Sequence, residues 1–246
     1  MVMTKIVAHR GANRYAPQNT IPAFKKAVEL GCDGFENDVH LTKDGQIVIC
    51  HNYTVEATSD GEGTITEMTF DELRALDFGS YFCTDFKGTK IPLLSEFFEL
   101  CAGLDIINVE IKTPQKPCDI VPKTIDLARR YGLQDTLIIS SFSPDVLREC
   151  KQYAPDIKTG MLYSESECGD EMLRTDPVGF CKSIGCSAVH PHYALVDKKY
   201  IDDFHAAGMA VNPWTVDNPQ DIVNLRDWGC DSVITNVPDI AASFLK

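Results

Sequence analysis

The stretch 34–52, Gly-Phe-Glu-Asn-Asp-Val-His-Leu-Thr-Lys-Asp-Gly-Gln-Ile-Val-Ile-Cys-His-Asn, carries two carboxylates two residues apart and then returns to a histidine. In an extended chain successive side chains alternate between faces, so Glu36, Asp38 and His40 share one face and Phe35, Val39 and Leu41 the other. Asp44-Gly45 is a hairpin signal, and the β-forming run 46–50 behind it ends at His51. The pattern recurs at Asn108-Val109-Glu110-Ile111-Lys112, where Asn108, Glu110 and Lys112 share a face. Acidic side chains are rarely buried on a strand face unless paired or bound to a metal. Three inward carboxylates repel one another unless a cation lies between them. An all-oxygen donor set suits Mg²⁺ or Ca²⁺ better than zinc, with Mn²⁺ a third candidate. The bland alternatives are a solvated strand face at Glu36 and Asp38, and a structural Glu110–Lys112 ion pair.

His9 and His51 form the natural proton-transfer pair beside these carboxylates. Arg10 and Lys112 supply cations for an anion, and a guanidinium fork suits phosphate oxygens. Trp214 ends another strand pattern and either walls a pocket or fills the core. His190 and His192, flanking Pro191, rank below His9 and His51 and read as structural or pocket-lining.

The elements that must position these groups alternate regularly. A strand at 4–8 leads through a polar loop to a helix opened by Asn19 or Thr20, with Pro22 in its first turn and Gly31 at its end. Strand 34–41 and its hairpin follow. Residues 53–104 break the rhythm, with short helical pieces at 69–76 and 95–101 and a Thr69/Glu72 capping box. Strands are then expected at 105–111, 137–140, 158–162, 188–190, 209–214 and 232–235. Helices are expected at 120–131, 144–153 (capped by Ser143), 177–184, 198–207, 219–228 and 239–245. Alternating strands and helices call for a parallel sheet, and eight units close most simply into a (β/α)8 TIM barrel. The 246 residues fit one such barrel, 1–246, with the segment 53–104 inserted after the second strand. The polar and ionisable residues named above then collect at the C-terminal ends of the strands, where such barrels carry their active sites.

The formal net charge of −13 argues against nucleic acid or an anionic membrane surface as partner. No apolar run reaches a membrane span, and the N-terminal run has no charged-then-apolar leader. Ten cysteines are scattered without metal-site spacing; they read as reduced thiols of a cytoplasmic protein, with a secreted, disulfide-bonded form as the alternative.

Taken together, His9-Arg10-Gly11, Pro17-Gln18-Asn19-Thr20, Glu36-Asn37-Asp38, His51, Glu110-Ile111-Lys112, Trp214-Thr215-Val216 and Ile234-Thr235-Asn236-x-Pro238-Asp239 resemble the glycerophosphodiester phosphodiesterases. The likeness runs from the first strand to the last helix. It implies a TIM barrel with a small insertion after the second strand. It implies Glu36, Asp38 and Glu110 as ligands of a divalent metal, and His9 and His51 as general acid and base. Arg10 and Lys112 would hold the phosphate, and Trp214 would line the glycerol side. The implied reaction hydrolyses a small glycerophosphodiester to sn-glycerol 3-phosphate and an alcohol. The chain departs from the family pattern at Gln18, where Glu is usual, at Asn52, often Asp, and near Ala57, where an Arg is common. Two alternatives stand beside this reading: a phospholipase-type member acting on lipids, for which no aromatic or Lys-rich loop is evident, and an inactive barrel used for binding.

Overall fold

The computed structural model describes residues 3–166 and 170–246. Met1 and Val2 of the expected N-terminal run, and Glu167, Cys168 and Gly169 of the expected polar segment before 177–184, lie outside the described residues.

Strand β1 (Lys5–His9) runs through the polar loop into helix α1 (Ile21–Glu29). Thr20 occupies the N-cap position but its hydroxyl donates to the Pro17 carbonyl, and the Asn19 side chain is turned away from the helix. Strand β2 (Gly34–Leu41) and antiparallel β3 (Ile47–Ile49) make the expected hairpin, with Gly45 at φ +80°. Helices α2 (Phe70–Ala75) and α3 (Leu94–Phe98) lie in the excursion, and the Thr69/Glu72 capping box forms. The excursion builds its own apolar cluster from Val55, Ile65, Leu73, Phe78 and Ile91 against Val48 and Cys50.

Regular alternation resumes with β4 (Ile106–Ile111), α4 (Ile120–Arg130), β5 (Leu137–Ser141) and α5 (Pro144–Tyr153). Ser143 holds the cap position of α5 without a side-chain cap bond. Then come β6 (Lys158–Tyr163), α6 (Glu171–Thr175), α7 (Pro177–Ser183), β7 (Ala188–Pro191) and α8 (Lys198–Ala206). The chain finishes with β8 (Ala210–Val211), α9 (Pro219–Trp228), β9 (Ser232–Thr235) and α10 (Pro238–Leu245).

The strand order is β8-β7-β6-β5-β4-β2-β1-β9, with every neighbouring pair parallel. The ring closes between its two ends through Asp231 N to Val211 O at 3.1 Å, Ile234 N to Pro213 O at 2.9 Å and Val216 N to Ile234 O at 2.9 Å. The expected strand 209–214 is regular only over Ala210–Val211. Pro213 has no N–H to give to β9, while bonds to β7 continue past it through Asn212 N to Val189 O at 2.9 Å and Trp214 N to Pro191 O at 3.0 Å. Outward faces pack the helices: Phe24 of α1, Phe35 of β2 and Phe97 of α3 meet at centroid distances of 5.3, 4.6 and 5.6 Å. Each buried ring contributes about 1.5–3 kcal/mol. Among the described residues no helix is long and apolar enough to cross a membrane.

The barrel interior is partly polar. His190 is 1 % exposed, and Gly160 faces it so closely that a Cβ there would meet the imidazole at 2.5 Å. Asn212 Oδ1 accepts from Ser232 Oγ at 2.7 Å, which turns its Nδ2 to donate to His190 Nε2 at 3.1 Å. Asn108 Nδ2 lies 3.4 Å from His190 Nδ1. Burial lowers the pKa of His190 to about 3.

Between about pH 3 and 6.5 the unfolded chain therefore binds a proton at His190 that the folded chain does not, so this residue makes stability rise with pH there. Urea unfolding from pH 4.5 to 7 should show the wild type gaining more stability than His190→Gln, with a slope difference of up to about 1.4 kcal/mol per pH unit; parallel curves refute it. Asn37 points to the helix side of β2, fully buried, and among the described residues neither side-chain atom has a hydrogen-bond partner. Asn37→Leu should raise the unfolding free energy by about 1–3 kcal/mol, measured in the same way.

Candidate active site

The C-terminal ends of β1, β2 and β4 converge because their parallel register places His9 beside Glu36 and Asp38 beside Glu110. Glu36, Asp38 and Glu110 are all buried, and each offers an oxygen within 4.8 Å of the others. Lys112 bridges two of them, its Nζ 3.1 Å from Asp38 Oδ1 and 2.7 Å from Glu110 Oε1. The ion pair expected as the bland reading thus exists inside the carboxylate cluster rather than in place of it.

Asp38 also accepts from Asn19 Nδ2 at 2.8 Å, and Arg10 Nε lies 3.3 Å from the same oxygen. That contact explains why Asn19 does not cap α1. Holding these groups requires unusual backbone: Arg10 and Asn19 sit at φ 55° and 58°, where non-glycine residues are rare. Gly11 follows at φ 78°, and a Cβ there would meet the Ala23 backbone at 2.6 Å. Arg10 N donates to both the carbonyl and Oε2 of Glu36 at 3.0 Å, and Asn19 N donates to Arg10 O at 2.9 Å. The loop is folded back on itself to present the guanidinium.

The charge balance is uneven. Burial pushes Glu36 well above the ordinary carboxylate value, and the charge of Asp38 adds to it. The same two causes push Glu110 up to about 7. Against the upward push of burial, Lys112 and Arg10 hold Asp38 well below its ordinary value. Burial alone would lower Lys112, but Asp38 and Glu110 raise it. Three acids face two cations, and the excess negative charge rests on carboxylate oxygens without a nitrogen or sulfur donor among them. A hard divalent cation fits that donor set.

His9 and His51 both reach the cavity that opens above these carboxylates. Its volume is about 620 Å³. Arg10, Lys112, Glu36 and Glu110 line one side, and Trp214, Phe142, Leu162 and Ile234 the other. Asp38 lies beneath, fully buried. Trp214 is fixed by its indole N–H, which donates to His190 O at 2.7 Å, and by an edge contact with Phe142 at 5.7 Å. His9 Nε2 is 3.9 Å from Glu36 Oε2. Burial, then Arg10, lowers the pKa of His9 to about 3; burial also lowers His51. His9, Arg10, Glu36, His51, Glu110, Lys112 and Trp214 are thus brought to this one mouth, whereas His190 and His192 are not on its wall. His40 lies in an adjoining cleft, its Nε2 3.4 Å from His51 O. The sequence reading missed Phe142 and Tyr53, for which no motif spoke. It also missed an aromatic edge on the excursion, where Tyr81 and Phe82 are 40 % and 36 % exposed beside Gln18 and Arg10.

With this geometry in view, the comparisons with known proteins are specific. Residues 9–240 match the glycerophosphoryl diester phosphodiesterase family. The chain belongs to that family. A glycerophosphodiester phosphodiesterase of Caldanaerobacter subterraneus subsp. tengcongensis is 37 % identical over 245 residues, covering 99 % of this chain and 98 % of that one. The crystal structure of glycerophosphodiester phosphodiesterase from Agrobacterium tumefaciens superposes with a TM-score of 0.85 at 28 % identity, covering 98 % and 100 %. An Oleispira antarctica phosphodiesterase solved in complex with the product sn-glycerol-3-phosphate superposes with a TM-score of 0.87 at 28 % identity, covering 98 % and 96 %. Within the glycerophosphoryl diester phosphodiesterase family, this chain's departures have visible consequences. Gln18 Oε1 accepts from Arg10 Nη1 at 2.7 Å, so an uncharged group holds the guanidinium. Asn52 Oδ1 lies 2.7 Å from His51 Nδ1 and keeps the role of an acceptor that orients the ring. Ala57 is exposed.

Removing one partner of a buried ion pair leaves the other uncompensated. Lys112→Met in chelator at neutral pH should lower the urea unfolding free energy by about 3–5 kcal/mol. A loss below about 1 kcal/mol, the range of exposed pairs, would show that the ammonium does not hold the cluster together.

Proposed function

We propose that the chain is a single catalytic unit over 1–246 that hydrolyses glycerophosphodiesters to sn-glycerol 3-phosphate and an alcohol. The observation that carries this reading is the shared cavity, in which two histidines and two cations face an apolar wall above three carboxylates. Glu36, Asp38 and Glu110 would hold one divalent ion, Mg²⁺ or Ca²⁺, with Mn²⁺ the third candidate. When bound, such an ion polarises a phosphoryl oxygen and offsets its charge. Arg10 and Lys112 would bind the other phosphoryl oxygens, and Trp214 would pack on the glycerol carbons. His9 and His51 act as the acid–base pair: one takes a proton from the nucleophile, the other gives one to the leaving alkoxide. The nucleophile is water or the neighbouring glycerol hydroxyl. The negative charge of the bound diester raises the proton affinity of both rings against the burial that lowers it.

The partner is a small molecule, since a net charge of −13 repels nucleic acid. A cytoplasmic location is part of the reading, and the free, exposed thiols of Cys83 and Cys118 suit a reducing compartment. The exposed Tyr81 and Phe82 favour a second reading, in which the diester is a lipid whose chain rests on that edge.

Purified protein should release glycerol 3-phosphate from glycerophosphocholine or glycerophosphoethanolamine. Chelator should abolish turnover and added Mg²⁺ or Ca²⁺ restore it, and His51→Ala should lower kcat by about 10²–10⁴-fold. Turnover that survives chelation sinks the metal role. Silence on both diesters with every divalent metal, set against cleavage of a phospholipid in vesicles, would replace the first reading with the second.

A further inference from the structure

We propose that Asp217 and Asn236 are positioning residues that fix the tautomer of His9. Asn236 follows β9, and Asp217 lies on the irregular segment that closes the barrel. Asn236 Oδ1 is 2.7 Å from His9 Nδ1 and 2.5 Å from Asn13 Nδ2. Asn13 Nδ2 also donates to the His9 carbonyl at 3.0 Å. On the other side, Asn236 Nδ2 donates to Asp217 Oδ2 at 2.7 Å. The backbone N of Asn236 and the hydroxyl of Thr235 donate to Asp217 Oδ1 at 2.9 and 3.1 Å. Arg14 Nη2, 3.7 Å from Asp217 Oδ2, faces the same carboxylate.

A carboxylate only accepts, so it dictates which end of the Asn236 amide it meets. Turning the amide over would set its oxygen against the Asp217 carboxylate and its NH₂ against that of Asn13. The amide oxygen therefore faces His9, and His9 Nδ1–H donates to it. The ring proton is on Nδ1. The lone pair is on Nε2, the nitrogen that lies toward Glu36 at the mouth of the cavity. The opposite tautomer would point an Nδ1 lone pair at an oxygen. Asp217 thus acts on His9 through Asn236, as outer partners set the orientation of catalytic imidazoles generally. His51 leans instead on its chain neighbour Asn52.

The assignment of a catalytic consequence rests on the reading of His9 as an acid–base residue; the tautomer does not. Long-range ¹H–¹⁵N correlation on Mg²⁺-saturated protein, with His9 assigned by its absence in His9→Gln, should show the Nδ1–H form. Asp217→Asn presents an NH₂ that lets the Asn236 amide turn over, and His9 should shift to the Nε2–H form. Asn236→Asp sets two carboxylates against each other. Each single variant should lower kcat by about 10- to 100-fold with little change in KM. The exchanged pair Asn236→Asp/Asp217→Asn again gives an oxygen facing His9 and a donor facing an acceptor, so it should recover both the Nδ1–H form and most of kcat. Wild-type His9 in the Nε2–H form overturns the proposal. So does an exchanged pair no more active than the worse single variant. The wild-type tautomer decides the first point even where a single substitution unfolds the chain. Wild-type protein that turns over no diester defeats the functional reading while leaving the tautomer measurement intact.

Discussion

Everything at the mouth of this barrel depends on how Asp38 is neutralised. A carboxylate with no exposed surface is not tolerated unless its charge is met at short range. Here an ammonium, a guanidinium and an amide N–H meet it: Lys112 from just past the end of β4, and Arg10 and Asn19 from the two ends of the β1–α1 loop. Lys112 is also bonded to Glu110 and Arg10 to Gln18, and the loop that brings Arg10 and Asn19 to Asp38 holds both at left-handed backbone angles. The same balance leaves Glu36 and Glu110 short of positive charge. The cluster is therefore not a closed set of ion pairs, and its oxygens are a donor set that a hard cation fits.

Much of this was legible from spacing. Alternation placed Glu36 with Asp38, and Glu110 with Lys112, because a strand's side-chain period is two and both strands are buried in parallel register. Asp44-Gly45, the Thr69/Glu72 pair and the glycines after the helices announced their turns and caps through local chemistry. The signals that misled were local ones. Asn19 reads as a cap but is taken by Asp38. Ser143 does sit at the cap of α5, but its side chain makes no cap bond. The strand 209–214 reads as continuous, yet it is regular only over Ala210–Val211, and Pro213 leaves a missing donor toward β9.

What could not be read were pairings between segments far apart in the chain. Asn236 and Asp217 meet each other and His9 only after the barrel closes, across 227 positions in the case of His9 and Asn236. Phe142 becomes a wall only when Trp214 is set against it. No periodicity encodes such meetings, since each depends on the register of strands that are not neighbours in sequence.

One contact ties the excursion to the mouth. The backbone N–H of Gln18 donates to the hydroxyl of Tyr81 at 3.1 Å, and the side chain of that same Gln18 holds Arg10. The excursion is therefore not free to drift as an ornamental surface loop would. A lengthening, shortening or reshaping of its tip is transmitted through a single glutamine to the guanidinium, so the tip and the loop form one mechanical unit. A change there resets the arginine without touching the barrel, and grafting the tip from a relative would carry its setting of the arginine with it.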